Sequence, residues 1–131
     1  MLEEDGEFVY PWEFSNPELV HWEEETGSTM DLARERAASG APAGTVVAAE
    51  RQRAGRGRYG RRWETPPGSI AATVVWRPGV GLDRAWEVLF GAGAALAEVL
   101  REQGVPAVLH WPNDAYVEGK KVADSPGSAI G

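Results

Sequence analysis

At 131 residues, with 43% hydrophobic residues and six tryptophans, the chain has the size and composition of one packed domain rather than a disordered segment. A formal charge of −7 argues against general nucleic-acid binding, which needs a broad basic face, and the absence of cysteine excludes disulfides, thiolate metal sites and cysteine nucleophiles. The start, Met1-Leu2-Glu3-Glu4-Asp5, lacks the apolar core of a signal peptide, and no run approaches the ~18 apolar residues of a membrane span, so a cytoplasmic protein is expected.

Residues 1–18 read as an acidic, solvated leader; nine acids and no lysine or arginine precede Thr26. Leu19–Glu23 has the pattern of a short strand, and Thr26-Gly27 turns the chain. Ser28 is placed to cap a helix, with Asp31 at capping-box spacing and Met30, Ala33 and Ala37 on one face. Gly40 and Pro42 end that helix. Thr45–Glu50 predicts a strand that runs into a loop rich in arginine and glycine, and Ser69–Trp76 predicts another. Asp83 is expected to cap a long helix whose apolar face is Trp86, Leu89, Phe90, Gly93, Ala94, Leu96, Ala97 and Leu100. Ala107–Trp111 reads as a strand broken at Pro112, and Ala115–Val117 and Lys121–Ala123 flank a hairpin turn at Glu118-Gly119. The order of elements predicts an α+β fold with a mixed, largely antiparallel sheet and helices on one side.

Three places carry candidate chemistry. Six of the 13 basic residues lie between Arg51 and Arg62, around the run Gly55-Arg56-Gly57-Arg58-Tyr59-Gly60-Arg61-Arg62-Trp63. Glycine permits positive φ and close approach, and arginine supplies forked donors, so the run reads as a mobile loop that closes over an anionic ligand. It also fits a solvated loop or a nucleic-acid tail. Trp111-Pro112-Asn113-Asp114, with Lys121 beyond it, offers a carboxylate for Mg²⁺ and a point charge for an anion, or simply a type I turn. The hydroxyls of Gly27-Ser28-Thr29 can bind a polar ligand head or only cap the helix. With His21 and His110 as its only histidines, the chain supports neither a Ser/His/Asp triad nor a zinc site.

In this order, Glu25-Thr26-Gly27-Ser28-Thr29, Ala49-Glu50, Gln52, the Gly55–Trp63 loop, Trp111-Pro112-Asn113-Asp114 and Lys121-Val122-Ala123 resemble the biotin protein ligase family over about Val20 to Ala123. The resemblance implies the biotin/lipoate ligase catalytic fold, which is like that of class II aminoacyl-tRNA synthetases. It implies activation of biotin with ATP and Mg²⁺ to biotinyl-AMP, then transfer to a lysine of a biotin carboxyl carrier domain. Ser28, Thr29, Gln52, Gly55, Arg56, Gly57, Arg58 and Lys121 would contact biotin. Arg58, Arg61, Trp63, Asn113 and Lys121 would serve ATP, Asp114 the metal, and Arg58 and Lys121 the chemistry itself. Lipoate ligases are expected to share the fold but not the arginine loop.

The chain departs from that pattern at Met30, Tyr59 and His110, where the family has asparagine, a basic residue and lysine. After Ala123 the family continues with Gly-Ile-Leu, whereas here Asp124 follows. The expectation is therefore a partial catalytic domain, 19–123, with an atypical tail, 124–131, and little activity alone. A binding remnant, or half of a split ligase completed by another chain such as a second copy, is the competing reading. No helix-turn-helix segment is expected, so DNA is not an expected partner, and neither is a membrane.

Overall fold

Strand β1 (Val20–Thr26) follows a 3₁₀ turn at Pro17–Leu19, and helix α1 (Thr29–Ala38) carries the chain across to β2 (Val46–Gln52), which pairs parallel to β1. The computed structural model describes residues 17–110 and 114–124. The chain divides into two compact units: the first comprises residues up to Arg53 with Thr65–Trp76, the second Ala54–Glu64 with Arg77 onward.

In the first unit, β3 (Ala71–Val74) pairs antiparallel to β2 and completes a sheet of order β1-β2-β3. β2 lies in the middle, which explains its unbroken run of small and β-branched residues: Val47, Ala48 and Ala49 are all buried. Alternation puts Val47 and Val75 on the face that meets α1, where they pack with Ala33, Leu32 and Ala37. Val47 is 0% exposed. The sequence places β1 too short, since it runs on to Thr26, and β3 too long. β1 extends because its acidic end pairs with the end of β2, Glu25 opposite Arg51 and Thr26 opposite Gln52.

The second unit holds a turn at Leu82–Arg84, helix α2 (Ala85–Glu102), and strands β4 (Val108–His110), β5 (Asp114–Val117) and β6 (Lys120–Asp124) in an antiparallel sheet of order β4-β5-β6. The hairpin is where the sequence puts it. Glu118 (φ 52°) and Gly119 (φ 77°) both take left-handed angles, as a two-residue primed turn requires. The expected cap at Asp83 is not made. Asp83 lies inside the 3₁₀ turn, and the N-cap residue of α2 is Arg84, which makes no side-chain cap bond. Its guanidinium forks onto Glu87 instead, with both contacts at 2.9 Å, and that pairing raises the Arg84 pKa. Only Gly93 and Ala97 of the predicted apolar face of α2 are buried, while Trp86 and Phe90 keep exposed surface. The helix packs on the short strands β4 and β5. Among the described residues, no helix is long and apolar enough to cross a membrane.

Candidate functional site

Parallel pairing brings the C-terminal ends of β1 and β2 to the same edge of the first sheet. Thr26 lies opposite Gln52, so the turn that starts α1 and the strand end that starts the arginine loop leave the sheet side by side. The Arg53 amide donates to Thr26 O at 2.9 Å and closes this edge.

Ser28 is the N-cap of α1 in extended geometry, and its hydroxyl accepts from the Met30 amide at 3.3 Å. The Thr29 amide is one of the donors that a helix start leaves without an internal partner. It donates to Gln52 Oε1 at 2.9 Å, and the Thr29 hydroxyl donates to the same oxygen at 3.2 Å. Gln52 Nε2 donates to Thr65 Oγ1 at 3.3 Å, and Thr29 Oγ1 lies 2.9 Å from Thr73 Oγ1. Thr29 is 3% exposed, so any ligand group reaching it leaves water behind and must be hydrogen-bonded in return. Ser28, Thr29 and Gln52 are thus brought together. Thr65 and Thr73, also part of this network, are absent from the sequence-based set.

In the second unit the arginine–glycine run folds back on itself. Trp63 N donates to Gly55 O at 2.8 Å, Arg56 bridges to Arg62, and Gly57 N donates to Arg61 O at 2.7 Å. Arg58 opens the turn at the tip, where Tyr59 (φ 61°) and Gly60 (φ 71°) reverse the chain. Positive φ was expected of the loop glycines generally; only Gly60 takes it, while Gly55 is buried and Gly57 lies against the Trp63 ring. The positive charge is also partly matched within the chain. Arg51 pairs with Glu24 and Glu25, Arg53 with Glu25, and Arg62 with Glu64. Such exposed pairs add little stability, but they lower the field that the arginines present to an anion.

Alternation along the second sheet puts His110, Asp114, Tyr116 and Lys121 on one face, through the pairs His110–Asp114 and Tyr116–Lys121. His110 stacks on Tyr116 with ring centroids 4.0 Å apart. Lys121 Nζ is 3.5 Å from Asp114 Oδ1 and 5.4 Å from the Trp63 ring centre, a cation–π distance. The carboxylate oxygen makes no hydrogen bond among the described residues, so Lys121 lies at ion-pair range without filling it. Register shifts by one residue between Ala115 and Tyr116, leaving Val122 as the extra residue of a bulge beside Lys121. Asn113 lies outside the described residues. No group of three His, Asp or Glu side chains gathers for a metal among those described.

Residues 22–129 match the biotin/lipoate A/B protein ligase family. The chain belongs to that family. It is 35% identical over 96 residues to the bifunctional ligase/repressor BirA of Bacillus subtilis, covering 72% of this chain and 30% of that protein. It is 42% identical over 92 residues to the biotin–[acetyl-CoA-carboxylase] ligase of Paracoccus denitrificans, covering 65% and 38%. The fold matches the biotin protein ligase of Aquifex aeolicus, solved in complex with biotin and ATP, at a TM-score of 0.61 and 33% identity, covering 79% of this chain and 43% of that one. The Leishmania major ligase, solved with biotinyl-5-AMP, matches at 0.61 and 29% identity, covering 79% and 49%. The chain therefore spans about a third of these curated relatives and under half to about half of these solved ligases. The α+β architecture with largely antiparallel pairing is that of the family's catalytic fold.

Proposed function

We propose that the chain binds biotin and ATP for the formation of biotinyl-5′-AMP and the transfer of biotin to a lysine of a biotin carboxyl carrier domain, with residues 19–123 as the catalytic-domain segment. The observation that carries this reading is the Thr29–Gln52 pair. Gln52 Oε1 already accepts two donors from Thr29, while among the described residues Nε2 uses one hydrogen on Thr65 and keeps one. A free N–H beside the acceptor hydroxyl of Thr29 complements a cyclic urea, which offers C=O next to N–H. A dithiolane offers neither and would leave that Gln52 N–H without a partner, so the site favours biotin over lipoate.

In the first step a biotin carboxylate oxygen bonds to the α-phosphorus of ATP, the bond to the β-phosphate breaks and pyrophosphate leaves. Both reactants are anionic, so the chain's contribution is positive charge and positioning. Lys121 would hold the carboxylate and the adenylate phosphate, Arg58 the developing phosphate charge, and Arg61 the ATP phosphates. Gly55, Arg56, Gly57 and Trp63 would line the acyl-adenylate through the loop, Asn113 would serve the nucleotide, and Ser28 would hold the start of α1. Asp114 Oδ1, buried without a hydrogen-bond partner among the described residues, suits a hard cation, and Mg²⁺ commonly takes one carboxylate with substrate phosphates. When bound, Mg²⁺ supplies neutralisation of phosphate charge. In the second step the acceptor amine bonds to the acyl carbon, AMP leaves and the amine proton is released.

Calorimetry of the 131-residue chain with biotin and with a non-hydrolysable biotinyl-adenylate, followed by biotin-dependent ATP–pyrophosphate exchange, tests the reading. No heat with either ligand, from a sample folded by circular dichroism, would sink it.

A further inference from the structure

The hydroxyl of Thr73 lies 2.9 Å from that of Thr29, and either could be the donor on distance alone. The rest of the network removes the ambiguity. The Thr29 amide must meet an acceptor, which turns the carbonyl of the Gln52 carboxamide towards it. The Thr29 hydroxyl has one hydrogen, and that hydrogen goes to the same Gln52 oxygen. Thr29 Oγ1 can therefore only accept from Thr73, and the Thr73 hydroxyl must donate. The chain of bonds has one direction: Thr73 to Thr29, Thr29 to Gln52, Gln52 to Thr65.

We infer that Thr73 is the positioning residue of this site, setting the direction of the relay that holds the Gln52 carboxamide with an N–H that no described residue takes up and that can meet a ligand carbonyl. The inference rests on the biotin reading for the identity of the ligand, but the relay itself needs no ligand. Thr73 sits on β3 opposite Val47, on the sheet face that meets α1, so the sheet register carries its hydroxyl to the first residue of the helix. Bonds in series polarise one another, so a donor at Thr73 strengthens the donation from Thr29 to Gln52. Valine at 73 would replace the hydroxyl with a methyl group that cannot donate and cannot approach an oxygen to 2.9 Å. The Thr29 hydroxyl would then be pushed away and free to rotate, and the Gln52 amide would lose one of its three hydrogen bonds.

Two measurements on the full 131-residue chain test this. The first is hydrogen exchange at the Thr29 amide, a position in the first helical turn that is ordinarily unprotected. The wild-type amide is expected to be protected, Thr73→Val to exchange at least about 5-fold faster, and Thr73→Ser to return to within about 2-fold of wild type. Equal protection in all three variants would overturn the inference. The second is binding of biotin and of its two ring-N-methyl derivatives. Thr73→Val is expected to weaken biotin by roughly 10-fold and to weaken one N-methyl derivative distinctly less, because that derivative has already lost its bond to Thr29. Equal weakening of all three ligands would show a general packing defect and overturn the inference. If folded wild type binds no biotin while the Thr29 amide responds as expected, the biotin reading fails and the relay stands.

Discussion

The two units hold their candidate groups by opposite means. In the first, Thr29, Gln52, Thr65 and Thr73 are neutral, buried (Thr29) or partly buried, and tied to one another by distances of 2.9–3.3 Å. In the second, Lys121, Asp114 and Trp63 meet at 3.5 and 5.4 Å, with Asp114 Oδ1 left without a hydrogen bond among the described residues. Neutral groups held in place by one another, with one Gln52 N–H left over among the described residues, discriminate by shape and hydrogen-bond pattern, since a wrong ligand strands that N–H. Charged groups at loose distances attract anions at range but choose poorly among them. On the proposed function, recognition of the head group and handling of charge would rest on different physics in the two units.

The largest expected effect tests the neutral half. Gln52→Leu removes the free N–H and strands the Thr29 amide, and should weaken biotin by roughly 100-fold in calorimetry, with little dependence on salt. A loss below 10-fold would show that the carboxamide is not the recognising group. Next comes the sheet that carries the relay. Val47→Ala, at the fully buried centre of the core, should cost about 2 kcal/mol in urea unfolding of the chain.

The charged half should respond more weakly and differently. Lys121→Ala should weaken a biotinyl-adenylate analogue by about 10-fold but leave biotin's head-group contacts intact, whereas Lys120→Ala should change it by less than about 2-fold. The Lys121 effect should shrink towards about 1 M salt, where the Debye length is about 3 Å. Equal effects at 120 and 121 would mean that general charge, not a placed contact, is responsible. The smallest effect sharpens the structural side of the comparison. Glu118→Asn relieves a left-handed backbone angle at the hairpin that brings Lys121 opposite Tyr116, and should stabilise the chain by about 0.5–1 kcal/mol in thermal unfolding.

Local chemistry was legible in the sequence. The cap at Ser28, the run Val47-Ala48-Ala49 and the turn at Glu118-Gly119 each depend on residues a few positions apart, and each is found where expected. Gln52 and Thr29 could be placed in one site through the family resemblance, though nothing local says that they touch. Thr73 could not be found that way. Its partner lies 44 residues earlier, and a threonine in a β-branched strand reads as ordinary strand chemistry. The failed cap at Asp83 has a similar cause: a 3₁₀ turn moved the N-cap position on by one residue, to Arg84, a shift that a capping pattern does not resolve. The exposure of Trp86 and Phe90 on α2 depends on how much of the helix its sheet covers, which periodicity does not report.

The pairing of Thr26 with Gln52 would make the proposed head-group site a gauge of alignment. A slip of β2 by a single residue would carry the Gln52 carboxamide about 3.3 Å along the sheet and turn it to the opposite face, out of reach of Thr29. Misaligned forms of this sheet would thus be blind to a ligand held by these residues, and the ligand would add its binding energy to the aligned form alone. At a free concentration of 100 times its dissociation constant, that preference amounts to about 2.7 kcal/mol. The small molecule would then serve as a folding template, and the yield of correctly aligned protein on refolding should rise with its concentration.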